Sequence, residues 1–163
     1  MPTMSFNDIN ELADNGFQGF ISIQKLWNDN TVIPHTQGVY LVLNKNDNTE
    51  FLEEGVGGFF QGRNPNVPID RLTNEFIPVS LVVYIGKATN LRTRINQYLR
   101  FGRGLNAPHR GGRFIWQIRH HQELIVCWKE LPENEDPGET ERQLILEFRS
   151  QFNNQRPFAN LQG

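Results

Sequence analysis

Residues 82–98 read VVYIGKATNLRTRINQY, an apolar run that ends at a tyrosine and a glycine and leads into a segment rich in basic residues. Residues 38–40 read GVY and form a second short run of the same kind. Apolar and β-branched residues between turn formers are typical of strands, whereas the apolar residues of the basic stretch recur at helical spacing. The pattern predicts two strands that carry Tyr40 and Tyr84, with a helix after the second.

The helix predicted after Tyr84 places one arginine beside its apolar face. At 100° per residue, Leu91 and Tyr98 share that face and Arg94 borders it. A guanidinium held there can bind a phosphate through two hydrogen bonds and favour negative charge on the phosphate oxygens. The alternative is an ordinary surface arginine.

A final helix is predicted from residue 137 to about residue 152, because the sequence DPGE at residues 136–139 supplies a cap and a proline at the first helical position. Glu141, Ile145 and Phe148 fall on one face of this helix. A carboxylate on an apolar face is rare unless it is paired or binds a metal. The alternative is an acid favoured by the helix dipole, which explains its position along the helix but not its direction.

Charge is distributed unevenly, although the net charge is only −2. Residues 87–122, called here the basic segment, contain eight Lys or Arg residues and no Asp or Glu. Residues 123–147 contain eight acids and two basic residues. Basic side chains interleaved with aromatic ones suit neutralisation of a nucleic-acid backbone and stacking on bases. The alternative is a solvated charged face.

The chain of 163 residues is long enough to bury a core without disulfides. Its one cysteine, Cys127, lies inside an apolar run and is expected to be a buried thiol, which favours a reducing, cytoplasmic location. No run approaches the roughly 18 apolar residues of a membrane span, and the N-terminus does not resemble a signal peptide. No membrane association is therefore expected.

Turn-forming residues divide the chain into an N-terminal arm over residues 1–35, packed on the core, and a domain over residues 36–163. Within that domain, a glycine- and proline-rich insertion at about residues 51–78 separates the two tyrosine strands. The predicted order β, β, α, β, α favours an α+β fold, with a small three-stranded antiparallel or mixed sheet flanked by helices.

The two tyrosine strands, followed by YIGKAxNLxxR at residues 84–94, resemble the GIY-YIG nuclease family. The resemblance covers roughly residues 36–162 and leaves the N-terminal arm outside. It independently implies a three-stranded antiparallel sheet with flanking helices. It also implies hydrolysis of phosphodiester bonds with the help of a divalent metal, Mg²⁺ or Mn²⁺.

The resemblance implies roles for individual residues. Tyr40 and Tyr84 would align or deprotonate an attacking water, and Arg94 would stabilise the phosphate. Glu141, in the pattern ExxLIxxF, would hold the metal. Further contacts with phosphate or nucleic acid are expected from the matching positions and from the basic segment: Lys87, Tyr98, Arg92, Arg113 and Asn160. Core packing is the alternative for Tyr98, and turn formation is the alternative for Asn160.

One branch of the family, the related restriction endonucleases, uses a histidine beyond the helical arginine. His109 is an accessory candidate on this ground, and a loop residue beside Pro108 is the alternative.

The function expected is that of a metal-dependent DNA endonuclease acting in restriction, repair or a mobile element. Two alternatives stay open: a noncatalytic nucleic-acid-binding module, and an RNA-cleaving or structure-specific nuclease. DNA is the expected partner and RNA the alternative. The oligomeric state is left open, with a dimer as one option.

Overall fold

The computed structural model describes residues 4–161. Within them, five α-helices and four strands alternate with 3₁₀ turns. The helices are α1 (Ile9–Asp14), α2 (Ile23–Asn28), α3 (Ile69–Glu75), α4 (Leu91–Phe101) and α5 (Pro137–Gln151). The strands are β1 (Gln18–Ser22), β2 (Gly38–Leu43), β3 (Val82–Ala88) and β4 (Ile125–Glu130). The 3₁₀ segments are Phe60–Gly62, Arg110–Gln117 and His121–Glu123.

The four strands form one antiparallel sheet in the order β1-β4-β2-β3. The predicted α+β class, with helices flanking an antiparallel sheet, is confirmed, but the sheet has four strands rather than three. The additional strand comes from the predicted N-terminal arm, where Gln18 pairs with Trp128 and Ser22 with Ile125. It covers the edge of β4, which would otherwise expose unpaired backbone groups.

A bulge in β1 interrupts the alternation of apolar and polar residues by which a strand is predicted from sequence. The register shifts between Gly19 and Ile21, and Gly19 and Phe20 both have positive φ angles of 97° and 55°. A Cβ atom at Gly19 would lie 2.6 Å from the Trp128 ring. A glycine is therefore needed there, both for its backbone conformation and for the close approach of the indole.

Every residue of the central strand β2 is buried, because both faces of the sheet are covered. Tyr40 and Val42 pack into one hydrophobic cluster with residues of α4, while Leu41 packs into a second cluster with Phe148 of α5. The two clusters fix α4 and α5 on opposite sides of the sheet. The tyrosine side of β2 therefore lies towards α4.

Local capping explains where the two long helices begin. The Asn90 side chain accepts a hydrogen bond from the Thr93 backbone at the start of α4, and Asp136 accepts one from Gly138 at the start of α5. The final helix was predicted correctly. Lys87, the first residue of the basic segment, continues β3 and pairs with Val39.

The insertion is anchored to the rest of the chain by one glutamine. The Gln117 side chain donates to the carbonyl oxygens of Leu52 and Val67, at 3.0 and 2.9 Å, and accepts from the Val67 amide at 2.9 Å. Phe51 and Phe76, at the ends of this stretch, both pack on Phe158. The predicted insertion thus holds a defined position beside the 3₁₀ segment Arg110–Gln117.

Among residues 4–161, no helix combines the length and apolar character required to cross a membrane. Cys127 is buried as predicted, and burial raises the pKa of its thiol.

Candidate active site

Tyr40 and Tyr84 stand on adjacent antiparallel strands and face the same side of the sheet. Tyr40 pairs with Gly86, and the two tyrosine rings lie with their centroids 5.9 Å apart. A Cβ atom at position 86 would lie 2.4 Å from the Tyr40 ring carbon that carries the hydroxyl. Gly86 therefore makes room for the Tyr40 ring, and a larger residue at position 86 would displace that ring.

His109 packs beside the tyrosines and contacts the Tyr40 hydroxyl. Its Nε2 lies 2.6 Å from the Tyr40 hydroxyl, and its ring stacks on Tyr98 at 4.1 Å between centroids. Burial, together with the positive charge of Arg94, lowers the His109 pKa to about 3. The imidazole is therefore neutral near pH 7. A sequence position beside a proline gave little sign of this buried placement.

Burial also raises the pKa values of Tyr40 and Tyr84. The pKa of Tyr84 rises to about 12, because loss of hydration and the Glu141 charge outweigh the opposing effects of Arg94 and the Tyr40 hydroxyl. The pKa of Tyr40 is raised well above its usual value, mainly by burial. Both phenols are therefore protonated near neutral pH, and neither can act as a general base until it has lost its proton.

Arg94 is fixed by two hydrogen-bond acceptors within the protein. Its Nη1 donates to the Pro108 carbonyl at 2.7 Å and to Gln97 Oε1 at 3.0 Å. The side chain is half-buried and lines a cavity next to both tyrosines. Since one nitrogen is occupied by the protein, the other donors are available to a ligand in a fixed direction.

This cavity, of about 560 Å³, is the candidate active site. It lies between β3, α4 and the N-terminal turn of α5, and its lining includes Tyr40, Tyr84, Lys87, Asn90, Thr93, Arg94, Gln97, Asp136 and Glu141. The sequence prediction named five of these. Gln97, three residues after Arg94, could have been found from helical spacing; Asp136 was recognised only as a helix cap.

Glu141 is the half-buried carboxylate of the cavity, as its position on the apolar face of α5 predicted. Burial raises its pKa, although Lys87 and Arg94 act in the opposite direction. A Cβ atom at Gly138 would lie 3.4 Å from the Lys87 ammonium, so that ammonium sits at the first turn of α5. The cavity thus sets one carboxylate opposite two cations.

Residues 4–161 contain no group of three or more His, Cys, Asp or Glu side chains that could hold a metal. The carboxylates of the cavity are Glu141 and Asp136, and Asp136 caps α5, so Glu141 is the candidate ligand and solvent and substrate oxygens would complete a coordination sphere. This fits Mg²⁺, which keeps several of its waters and is often bound through one or two carboxylates and a phosphate. It does not fit zinc, which needs three or four nitrogen or sulfur ligands.

Two residues expected to contact phosphate are used inside the protein instead. Tyr98 is fully buried and donates its hydroxyl to the Gly112 carbonyl at 3.2 Å, so its core-packing alternative is the one that fits. Arg92 donates from Nε to the Ile33 carbonyl and from Nη2 to the Thr31 carbonyl, both at 2.6 Å. Its guanidinium therefore holds the N-terminal arm against α4.

Asn160 is also a structural clamp. Its side chain accepts from the Ile85 amide and donates to the Ile85 carbonyl, both at 2.9 Å. It is buried, so the prediction of a direct nucleic-acid contact does not fit its place. Because Ile85 follows Tyr84, the clamp fixes the strand that carries the second tyrosine.

Arg113 lies outside the cavity lining, half-buried, with its guanidinium carbon 5.6 Å from the centroid of the Phe114 ring.

The family model described as the GIY-YIG catalytic domain matches residues 76–155. The match spans β3 to α5 and includes Tyr84, Arg94 and Glu141, while Tyr40 precedes it and Asn160 follows it. No curated protein and no solved structure matches the chain. The chain carries a GIY-YIG catalytic domain and so belongs to a superfamily of nucleases.

Proposed function

We propose that this protein is a metal-dependent endonuclease that hydrolyses DNA phosphodiester bonds. The observation that carries the proposal is the convergence of Tyr40, Tyr84, Lys87, Arg94 and Glu141 on one cavity. A noncatalytic binder would gain from the arginine and the lysine. It would have no use for a half-buried carboxylate or for two buried phenols beside them.

Arg94 is the residue that would hold the reacting phosphate. Its guanidinium is oriented by Pro108 and Gln97, so its remaining N–H groups need little reorganisation when negative charge grows on the nonbridging oxygens. Lys87, on the neighbouring strand, adds a second positive charge at the cavity wall. These two residues bind and orient the phosphate.

Glu141 would hold a divalent metal, Mg²⁺ or Mn²⁺. Such an ion, when bound, supplies a Lewis acid that favours charge on the phosphate and on the leaving oxygen. The half-buried setting also keeps bulk water from the carboxylate and strengthens its electrostatic interactions.

Tyr84 would first release its own proton to solvent through the cavity, favoured by the positive charge of Arg94, and would then accept the proton of the attacking water. Tyr84 is the less perturbed phenol, and the Tyr40 hydroxyl next to it stabilises its ionised form. His109 holds the Tyr40 hydroxyl from the inner side at 2.6 Å. Tyr40 and Tyr84 thus act together, and His109 is a positioning residue for Tyr40.

The test is cleavage of supercoiled plasmid, branched DNA and an RNA hairpin with Mg²⁺, with Mn²⁺ and with EDTA. The proposal expects DNA to be cut only with metal. Cleavage confined to RNA would favour the RNA-cleaving alternative, and cleavage confined to branched DNA the structure-specific one. Binding without cleavage in any metal would favour a noncatalytic module.

The buried His109 gives the fold a specific dependence on pH. The unfolded chain binds a proton at His109 below about pH 6.5, whereas the folded protein does so only near its pKa of about 3. The stabilisation from the neutral imidazole is therefore complete above pH 6.5 and lost as the pH falls, by up to about 1.4 kcal/mol per pH unit.

Urea unfolding of His109→Phe between pH 4 and pH 7 measures this effect. We expect a shallower pH dependence of the unfolding free energy than in the wild type. His35→Phe, at an exposed position, is the matched control and should keep the wild-type slope. Equal slopes for His109→Phe and the wild type would show that the buried imidazole is not the cause.

A further inference from the structure

Four arginines lie together outside the candidate active site: Arg63, Arg71, Arg110 and Arg113, called here the arginine cluster. The first two belong to the insertion and the last two to the loop and 3₁₀ segment that follow His109. Arg110 Nη1 donates to the Arg63 carbonyl at 3.2 Å, and Arg113 Nη1 donates to the Arg110 carbonyl at 3.3 Å. The fold thus assembles a cluster that the sequence keeps far apart.

One aromatic ring supports two members of the cluster. The guanidinium carbons of Arg71 and Arg113 lie 5.2 and 5.6 Å from the centroid of the Phe114 ring. Phe114 itself is buried against Phe158. Packing on the ring uses the flat face of a guanidinium and leaves the N–H groups at its edge available to a ligand.

No arginine of the cluster forms an ion pair within residues 4–161; the ion pairs of Arg119 with Glu50 and of Arg142 with Glu139 lie elsewhere. Burial, together with the charges of the other three arginines, lowers the pKa of Arg113 to about 10. Gathering like charges costs folding free energy, which an anionic ligand would recover.

The cluster is joined to the residues that pack against the two tyrosines of the active site. His109, which holds the Tyr40 hydroxyl, is followed immediately by Arg110. Gly112, next to Arg113, packs so tightly that a Cβ atom there would lie 3.0 Å from Tyr98 and 3.1 Å from Tyr84. Because Tyr84 lines the cavity, phosphates beside the scissile bond are the nearest candidate ligands for the cluster.

We propose that the arginine cluster binds backbone phosphates of duplex DNA flanking the scissile bond, and that the insertion exists in part to supply Arg63 and Arg71. The identity of the ligand rests on the proposed function, because a nuclease of this kind must hold a long polyanion beside its catalytic cavity. Edge N–H groups of arginine form paired hydrogen bonds with phosphate oxygens. The contact is with the backbone and carries no base specificity.

The test is a double variant, Arg63→Gln/Arg71→Gln, placed in a Glu141→Gln background so that DNA is not cut. These two positions are exposed, whereas Arg110 and Arg113 also hold backbone carbonyls. The matched control, Lys45→Gln/Arg119→Gln, removes two positive charges at exposed positions elsewhere. Affinity for a fluorescent duplex DNA is measured in Ca²⁺ over a range of NaCl concentrations.

We expect the cluster variant to lose about tenfold in affinity near physiological salt, and its plot of log affinity against log salt to become shallower by about 1 to 2. Its thermal midpoint should not fall, because like charges are removed. The control should bind as its parent does. Unchanged binding by the cluster variant, or an equal loss in the control, overturns the proposal and leaves the cluster to another kind of partner.

The binding and cleavage experiments distinguish failure of the cluster proposal from failure of the nuclease proposal. If the wild type cuts no substrate but the cluster variant alone loses DNA affinity, the cluster proposal stands and the nuclease proposal fails. If the wild type cuts DNA and the cluster variant binds it like its parent, the cluster proposal alone fails.

Discussion

Glu141→Gln should lower metal-dependent cleavage of DNA by at least about a thousandfold. The substitution keeps the size and shape of the side chain but removes the negative charge that would hold a divalent ion, and such an ion contributes several kcal/mol to stabilising charge in phosphodiester hydrolysis. DNA affinity should change little, because Lys87 and Arg94 remain at the cavity. Single-turnover cleavage of supercoiled plasmid in Mg²⁺ measures the loss.

Glu139→Gln is the matched control, since Glu139 lies in the first turn of the same helix, is exposed and pairs with Arg142. It should cleave within a few-fold of the wild type. Thermal unfolding in EDTA should show that Glu141→Gln is at least as stable as the wild type, because burial penalises the ionised carboxylate that it replaces. An equal loss in both variants would mean that Glu141 has no special role.

Arg94→Lys should lower the single-turnover rate by about 100- to 1,000-fold, with a smaller loss in affinity for DNA. Lysine retains the positive charge but has a single nitrogen, so it cannot keep the acceptors Pro108 and Gln97 and present parallel donors to a phosphate at the same time. The loss should therefore appear in the rate of the bound complex. The measurement is single-turnover cleavage at saturating protein.

Arg100→Lys on the exposed side of α4 is the control and should leave the rate unchanged. If Arg94→Lys cleaves at the wild-type rate, Arg94 supplies only general positive charge, and the proposed stabilisation of the reacting phosphate is wrong.

The fold could be predicted from sequence wherever local signals were strong. The apolar runs at Tyr40 and Tyr84 form the predicted strands, and Asp136-Pro137 caps the final helix as expected. The strand β1 was missed because its bulge at Gly19 breaks the alternation that identifies a strand, and its pairing with β4 is set by tertiary contact.

Helical geometry predicted the directions of Arg94 and Glu141, which both line the cavity, because the direction of a side chain on a helix follows from spacing. Tyr98, Arg92 and Asn160 were expected to contact nucleic acid from the resemblance and from the basic segment. The partners of their polar atoms are backbone carbonyls and amides that only the folded chain brings close.

His109 and the arginine cluster lay beyond any local signal. His109 reaches Tyr40 across 69 positions of sequence, and Arg110 reaches Arg63 across 47. Contacts of this kind depend on how the insertion and the 3₁₀ segment pack on the sheet, which no pattern within either segment encodes.

We expect this cavity to hydrolyse DNA with a metal held by Glu141. A single plasmid-nicking experiment in Mg²⁺ compares the wild type with Glu141→Gln, and DNA binding is measured alongside in Ca²⁺. We predict nicking by the wild type alone, abolished by EDTA, with equal DNA affinity for both proteins. Equal nicking by both proteins, or nicking by the wild type in EDTA, would show that cleavage does not depend on a metal held by Glu141.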